Sequence, residues 1–325
     1  MANIKEIAKK ANVSVSTVSR VLNGHNYVSD EKREAVLAAI EQLNYTRNMN
    51  AVHLIKGKTN VIGVMLPFIN HPYFSRLLEG ISASALQKNY QLMLCQTDYK
   101  EEIEIKVLDM LKMKQIDAVI ICSKHLPLDR IEPYTRYGPI VACEDVGDSS
   151  VSSVFLDHYT SFYNGMRYLI DRGHRAIGFC LGRSSGVNSQ MRRKAYEDAL
   201  ALIHEPVREE WIFYQTYRIE DGVKLMRDML QMEERPSAML VTNDQVAAGM
   251  IIEAKKNGLT VPDDLAVIGF DNQPIAEVFN LTTIDNQLFE MGSSAFQIAH
   301  DQIMKTRDEP EHRELEYRLI ERFSV

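Results

Sequence analysis

No stretch of this 325-residue chain stays apolar long enough to span a bilayer, and its opening, MANIKEIAKKANVS, places charge and asparagine where a secretory signal needs an apolar core. The sequence therefore predicts a protein that stays in the cytoplasm, away from membranes. Cysteine is scarce: Cys95, Cys122, Cys143 and Cys180 are the only four, and none shows CxxC or Cys/His spacing. Each lies in or at the end of an apolar β-like run (QLMLC, AVIIC, IVAC, AIGFC), so all four are expected to be reduced core residues. GxSxG, Walker A, HExxH and zinc-ligand spacings are missing too, and the acidic residues near strand ends have no evident nucleophile or metal partner. The expectation is a protein that is not an enzyme and carries no metal or cofactor.

What is present is an asymmetry of charge. The chain carries a net −7, which argues against a general polyanion binder. Yet residues 1–60 hold nine Lys/Arg against five Asp/Glu, a net of +4, and the remaining 265 residues hold 28 against 39, a net of −11. A basic first segment suits contact with phosphate, while an acidic body is repelled by DNA and discourages loose binding.

Hydrophobic periodicity divides the chain at the same place. Residues 1–60 show no strand pattern, only three short helical ones: Ile4, Ile7, Ala8, Ala11; Val15, Val18, Val21, Leu22; and Ala35, Val36, Ala39, Ile40, Leu43. Ser14 is placed to cap the second helix, and Ser29 followed by Asp30 and Glu31 to start the third. Helix, short polar turn and second helix form a helix-turn-helix, whose second helix enters the major groove. With Val18, Val21 and Leu22 turned to the core, Val15, Ser16, Ser19 and Arg20 face outward. Arg20 can fork onto guanine O6 and N7 or hold a phosphate; Ser16 can donate or accept; Val15 can pack on a thymine methyl.

From Asn60 onward, apolar runs alternate with helical segments: VIGVMLP, a helix near 73–89, QLMLCQT, a helix near 101–114, DAVIICS and PIVACED. After Asp157 the series resumes with a helix to Arg172, AIGFCLG, a helix from Met191, WIFYQ, a helix from Glu220, AMLVTND, a helix to Asn257 and LAVIGFD. Continuous apolar strands separated by helices imply parallel sheets covered on both faces, here two consecutive doubly wound α/β units. Asn243-Asp244 and Asp271 fall at strand ends, where such sheets bind ligands.

The run from Ile4 to Asn23, IKEIAKKANVSVSTVSRVLN, with Val28-Ser29, Arg33, Val36, Ala39, Ile40, Leu43, Asn44 and Tyr45 after it, resembles the headpiece of the lactose-repressor/galactose-repressor (LacI/GalR) family. Thr17 and Asn23 of that run join Val15, Ser16, Ser19 and Arg20 as the implied DNA contacts. Residues 48–56 (NMNAVHLIK) are too few for a stable isolated helix. The resemblance makes them a hinge helix that pairs with its dimer mate over the minor groove, with Leu54 as an apolar wedge; Arg47, just before it, is a further candidate DNA contact that does not discriminate sequence. In and next to this segment three residues depart from the family pattern: Arg47 stands in place of a proline, and Val52 and His53 interrupt an Ala-Arg pair.

The rest resembles the family's regulatory core, which shares its fold with periplasmic sugar-binding proteins: two subdomains, three chain crossings and a cleft between. Matching segments include Ile62-Gly63-Val64, Pro72-Tyr73-Phe74, Gly173 to Gly178, Asn243-Asp244, Val261 to Asp264 and Ile268 to Asn272. The division implied is a DNA-binding domain over 1–47, hinge and linker over 48–59, and a core over 60–325. Within the core, the N-subdomain takes about 60–157 plus 288–314 and the C-subdomain about 158–287 plus 315–325.

Carried over residue by residue, the effector site comprises Tyr73 and Phe74 as an aromatic wall, Arg192 as a clamp, Tyr217 as a second wall, and Asn243 and Asp271 as polar anchors. Arg193 competes with Arg192 for that register, Asp271 could instead cap the following turn, and Tyr217 could be core. His71 and His158 stand where the family often has asparagine. The functional expectation is a homodimeric repressor of carbohydrate-utilisation genes that binds a palindromic operator under control of a sugar or sugar phosphate. The lack of a heptad tail after the last strand favours a dimer over a tetramer. Alternatives are control by a phosphorylated carrier protein or a non-sugar metabolite, or a sugar-binding protein with only non-specific DNA affinity.

Overall fold

The structure, a computed structural model, describes residues 3–45 and 57–325. They fall into two compact units divided between Lys58 and Thr59. The first holds helices α1 (Ile4–Lys10), α2 (Val15–Leu22) and α3 (Asp30–Gln42). Asn3 caps α1 by accepting from the backbone of Lys5 and Glu6, while the Glu6 carboxylate accepts from the Asn3 N–H, a reciprocal capping box. Ser14 Oγ accepts from Thr17 N at 3.1 Å and starts α2. The hydroxyl cap expected of Ser29 is not made; Asp30 and Glu31 in the first turn of α3 meet its N-terminal dipole instead. Ile7, Ala8, Val18, Val21, Val36 and Ala39 are buried together as one small core. The hinge segment 48–56, with Val52, His53 and Leu54, and also Arg47, lies outside the described residues.

The second unit begins with β1 (Val61–Leu66), α4 (Pro72–Gln87), β2 (Gln91–Gln96), α5 (Glu101–Lys112), β3 (Ala118–Ile121), β4 (Ile140–Ala142) and β5 (Ser152–Leu156). It continues with α6 (His158–Asp171), β6 (Ile177–Cys180), α7 (Val187–Leu202), β7 (Ile212–Phe213), α8 (Ile219–Leu230), β8 (Ala238–Val241), α9 (Asp244–Lys256) and β9 (Ala266–Phe270). β10 (Thr282–Asp285), α10 (Leu288–Ile303), β11 (His312–Leu315) and β12 (Arg318–Ile320) complete it. Two six-stranded sheets result, with orders β11-β5-β4-β3-β1-β2 and β12-β10-β9-β8-β6-β7. The chain passes between them after β5, after β10 and between β11 and β12.

The sheets are not purely parallel, as the sequence led one to expect: β12 pairs antiparallel with β10. It arrives from the other sheet without the helical crossover that imposes parallel pairing, and it sits at an edge. α7 starts at Val187, four residues before the expected Met191, because its polar first turn carries no apolar period and Gly186 turns the chain into it at φ 105°. WIFYQ contributes only Ile212–Phe213 to the sheet. Cys122, Cys143 and Cys180 are buried thiols, but Cys95 is only partly buried, since β2 is an edge strand with mostly exposed residues. Among the described residues no helix is long and apolar enough to cross a membrane.

Candidate functional site

Two surfaces carry polar residues in a pattern that packing does not require. On the first unit, α2 buries Val18 and Val21 and exposes Val15, Ser16 and Arg20, with Ser19 and Thr17 partly covered. Part of this face is already engaged: Ser14 Oγ lies 2.8 Å from both Ser16 Oγ and Thr17 Oγ1, and Asn23 Nδ2 lies 3.4 Å from Ser19 Oγ. Arg20 makes no ion pair among the described residues, so its guanidinium is available for a base edge or phosphate.

In the second unit, the carboxyl ends of strands from both sheets meet around a cavity of about 130 Å³. Tyr73, Phe74, Arg192, Tyr217, Asn243 and Asp271 all line it. Pro72 at the first position of α4, with its φ preset for a helix, sets Tyr73 and Phe74 in the opening turn. Arg192 projects from α7 with its guanidinium 4.6 Å from the Phe270 ring centre and one Nη 3.2 Å from His158 Nδ1. Its Nε is buried without a hydrogen-bond partner among the described residues. Arg193 turns away to Glu197, Glu209 and Tyr214, so of the two arginines it is Arg192 that lines the cavity.

Asp271 is buried in the left-handed region at φ 94°, a conformation costing a non-glycine residue about 1–3 kcal/mol. Its carboxylate accepts from Asn286 Nδ2 at 2.7 Å and more weakly from Gln273 Nε2 at 3.4 Å. It does not cap the following turn; Asp244 does, accepting from Gln273 N at 2.7 Å. Tyr217 packs edge-on to Phe68 and His71, and so belongs to the cavity wall. Asn243 is already committed to protein contacts: it caps α9 through Gln245 N, and its Nδ2 donates to Tyr217 O and to His71 Nε2 at 3.0 Å. That last bond joins the two halves of the unit directly.

The two histidines that break the family pattern both line the cavity. Burial, then the nearby Arg218 charge, lowers His71 to about 4, and burial with the Arg192 charge holds His158 well below the usual range. Both are neutral at pH 7. Burial raises Asp271 to about 6, against the pull of Arg192, and raises Asp244 to about 8, helped by the Asp271 charge. A carboxyl raised on folding is stabilised in its protonated form, so Asp244 supports the fold most at low pH and progressively less as pH rises from about 4 to about 8. Asp244→Asn keeps acceptance from Gln273 N and can donate to Thr283 Oγ1, which now donates to Asp244 Oδ1 at 2.7 Å. Thermal melts of this variant are expected to vary less between pH 6 and 8 than those of the wild type; an equal fall in both would place the titration elsewhere.

Sequence reasoning left out Phe68, Tyr99, Ser123, Glu144, Arg183, Asn188 and Ser189, which also line the cavity. Most stand in loops past strand ends, where no periodicity marks them. Arg183 had one faint signal, as a lone cation directly after the AIGFCLG run.

Comparisons with known proteins follow the same division of the chain. Residues 3–48 match the family described as bacterial regulatory proteins, lacI family, and residues 59–322 match periplasmic binding proteins and sugar binding domain of LacI family. The HTH-type transcriptional regulator YkvZ of Bacillus subtilis is 45% identical over 326 residues, covering all of both chains. The HTH-type transcriptional repressor PurR of Yersinia pestis is 35% identical over all of this chain and 97% of its own. Among solved structures, the lac repressor dimer bound to operator and the anti-inducer ONPF superposes with a TM-score of 0.85 at 24% identity, over 99% and 98% of the two chains. A LacI family regulator from Lactobacillus casei with bound sucrose gives 0.75 at 28%, over 82% of this chain and 99% of the other.

Proposed function

The chain belongs to the LacI family of bacterial regulatory proteins, a DNA-binding transcription regulator and not an enzyme, and from that premise we propose that a sugar or sugar phosphate in the cavity controls its hold on a palindromic operator. One observation carries this reading: Tyr73 and Phe74 from one half of the core and Arg192, Tyr217, Asn243 and Asp271 from the other line one open cleft. Aromatic faces suit the C–H face of a sugar ring, and planar charged groups suit its paired hydroxyls. A ligand touching both halves favours one angle between them, and a change of angle is a means of altering the spacing of two DNA-binding units in a dimer. The coupling between effector and operator is reciprocal and of the order of 1–3 kcal/mol, about 5- to 150-fold in affinity. The L. casei relative with bound sucrose and glucose supports a carbohydrate ligand. The test is operator binding by the purified protein across a panel of sugars and sugar phosphates, where one compound should shift the affinity within that range.

On the DNA side, Val15, Ser16, Thr17, Ser19, Arg20 and Asn23 are proposed to read and hold the major groove. Arg20→Ala is expected to relax base preference at one operator position and to cost about 1–3 kcal/mol. Arg47→Ala should instead weaken all sequences alike and reduce the salt dependence by about one charge. Selection from randomised duplexes with both variants checks this: identical specificity profiles would remove the distinction between them.

A further inference from the structure

On the DNA-binding role alone, and independently of the effector, we propose that Asp117 is a positioning residue: its carboxylate fixes the point on the core from which the chain runs back to the DNA-binding unit, and so helps to set the half-site spacing that a dimer accepts. The two compact units divide between Lys58 and Thr59, so Thr59 and Asn60 are the first residues on the core side. Asp117 Oδ1 accepts from Thr59 N at 2.8 Å and from Thr59 Oγ1 at 2.9 Å, and its Oδ2 accepts from Asn60 N at 2.7 Å. Thr59 Oγ1 accepts in turn from Val61 N at 3.2 Å. One carboxylate thus holds two consecutive backbone N–H groups and a hydroxyl at the root of the tether, through short bonds strengthened by its charge.

The carboxylate stands on a rigid base. Asp117 directly precedes β3, while Thr59 and Asn60 lead into β1, and these two strands pair in parallel inside their sheet, with β4 beyond one and β2 beyond the other. Ile62–Leu66 and Ala118–Ile121 are buried throughout. Asp117 N donates to Val61 O and Gln91 N donates to Asn60 O, each at 2.8 Å, so the start of β1 is tied to the strands on both sides. The strand itself begins at Val61, so the carboxylate holds N–H groups of residues that precede it. Only two residues before Thr59 the surroundings open: Gly57 is exposed at φ 65°, and a Cβ built there would meet nothing within 4 Å. A tether fixed at its root confines the unit that it carries, which raises the effective concentration of that unit at a matched spacing and lowers it at others. Freeing Thr59 and Asn60 returns backbone freedom that binding must then remove.

The test is binding by the full-length protein to two duplexes: the palindrome that the wild type selects from randomised DNA, and the same palindrome with two base pairs inserted at its centre. The insertion moves the half-sites apart by about 7 Å and turns them by about 70°. It is expected to cost the wild type about 30-fold or more in affinity and Asp117→Ala less than about 5-fold, while the variant binds the original palindrome about 10-fold more weakly because more chain must be ordered. A merely structural role would lower the melting temperature and weaken both duplexes alike. Two further variants cover poor folding of Asp117→Ala. Asp117→Asn keeps the shape of the side chain but leaves the N–H of Thr59 or of Asn60 facing an amide N–H, and should give an intermediate ratio between the duplexes. Two glycines inserted after Gly57 lengthen the tether with Asp117 in place, and should relax the ratio as Asp117→Ala does. A wild-type ratio in both Asp117 variants overturns the proposal, whatever the inserted glycines do. The lack of any selected palindrome with the wild type would instead be a failure of sequence reading itself, and would remove the proposal with it.

Discussion

Arg192→Ala is expected to abolish the effector response while leaving operator affinity without effector within about threefold of the wild type. The Arg192 guanidinium is enclosed between the Phe270 ring and His158, near a buried Asp271, with its Nε unpartnered. A ligand hydroxyl or anionic oxygen that meets it gains a charge-assisted hydrogen bond away from water, about twice the strength of a neutral one. Truncating one partner of such a buried pair costs about 2–5 kcal/mol, roughly 30- to several-thousand-fold in effector affinity. Operator affinity without effector is assigned by the proposal above to the separate unit that holds α2, so it is expected to change little. Titrations of labelled operator with and without effector measure both quantities. An effector response unchanged in the variant would remove Arg192 from the site.

The largest expected effect on stability comes from four glycines. A Cβ built at Gly80 on α4 would lie 1.9 Å from Phe289 O, and one at Gly292 on α10 would lie 2.0 Å from Leu77 O. Each helix thus presses its glycine against the other's backbone. The same device recurs in the other half, where Gly222 on α8 meets Val246 O at 2.0 Å and Gly249 on α9 meets Ile219 O at 2.1 Å. Backbone cannot yield as a side chain can, so the helices must separate and loosen the cores that they cover. Gly80→Ala or Gly249→Ala is expected to exceed the usual overpacking cost of about 1–3 kcal/mol and to lower the melting temperature by about 6–12 °C or more. Gly147→Ala, which meets nothing within 4 Å and carries only the strain of φ 58°, should cost no more than a few degrees. Similar melting temperatures for Gly80→Ala and Gly147→Ala would show that these helices are not held at backbone contact.

What could be read from the sequence follows from where the chain buries apolar surface. β1, β3, β6, β8 and β9 are covered on both faces, so their residues are apolar almost without interruption and stand out in the sequence. β5 and β10 are buried as well, but Ser152, Ser153, Thr282 and Thr283 replace hydrophobic residues there and are satisfied by hydrogen bonds to Gln302, His312, Arg322 and Asp244. Hydropathy has no means of finding such strands. β11 escapes hydropathy for the opposite reason, as a half-exposed edge with a polar alternating pattern, and β12 is marked by the likeness of Arg318 to Ser324 to the family's last strand, not by hydropathy. The cavity residues lie far apart in the chain, and only the family resemblance grouped Tyr73, Phe74, Arg192, Tyr217, Asn243 and Asp271. The ambiguity between Arg192 and Arg193 required the orientation of α7, and Arg183 and Asn188 required the meeting of the two sheet edges. In the DNA-binding unit, by contrast, three short amphipathic patterns and the Ser14 cap were enough to place each helix among the described residues.

This chain is expected to read a DNA sequence, and a small molecule in its core to change that reading. Selection from randomised duplexes by the purified full-length protein, repeated with a panel of sugars and sugar phosphates, tests both parts together. The predicted result is a palindromic consensus whose enrichment changes with one compound and no longer changes in Arg192→Ala. Uniform, salt-sensitive retention of all duplexes, the same with every compound, would contradict it.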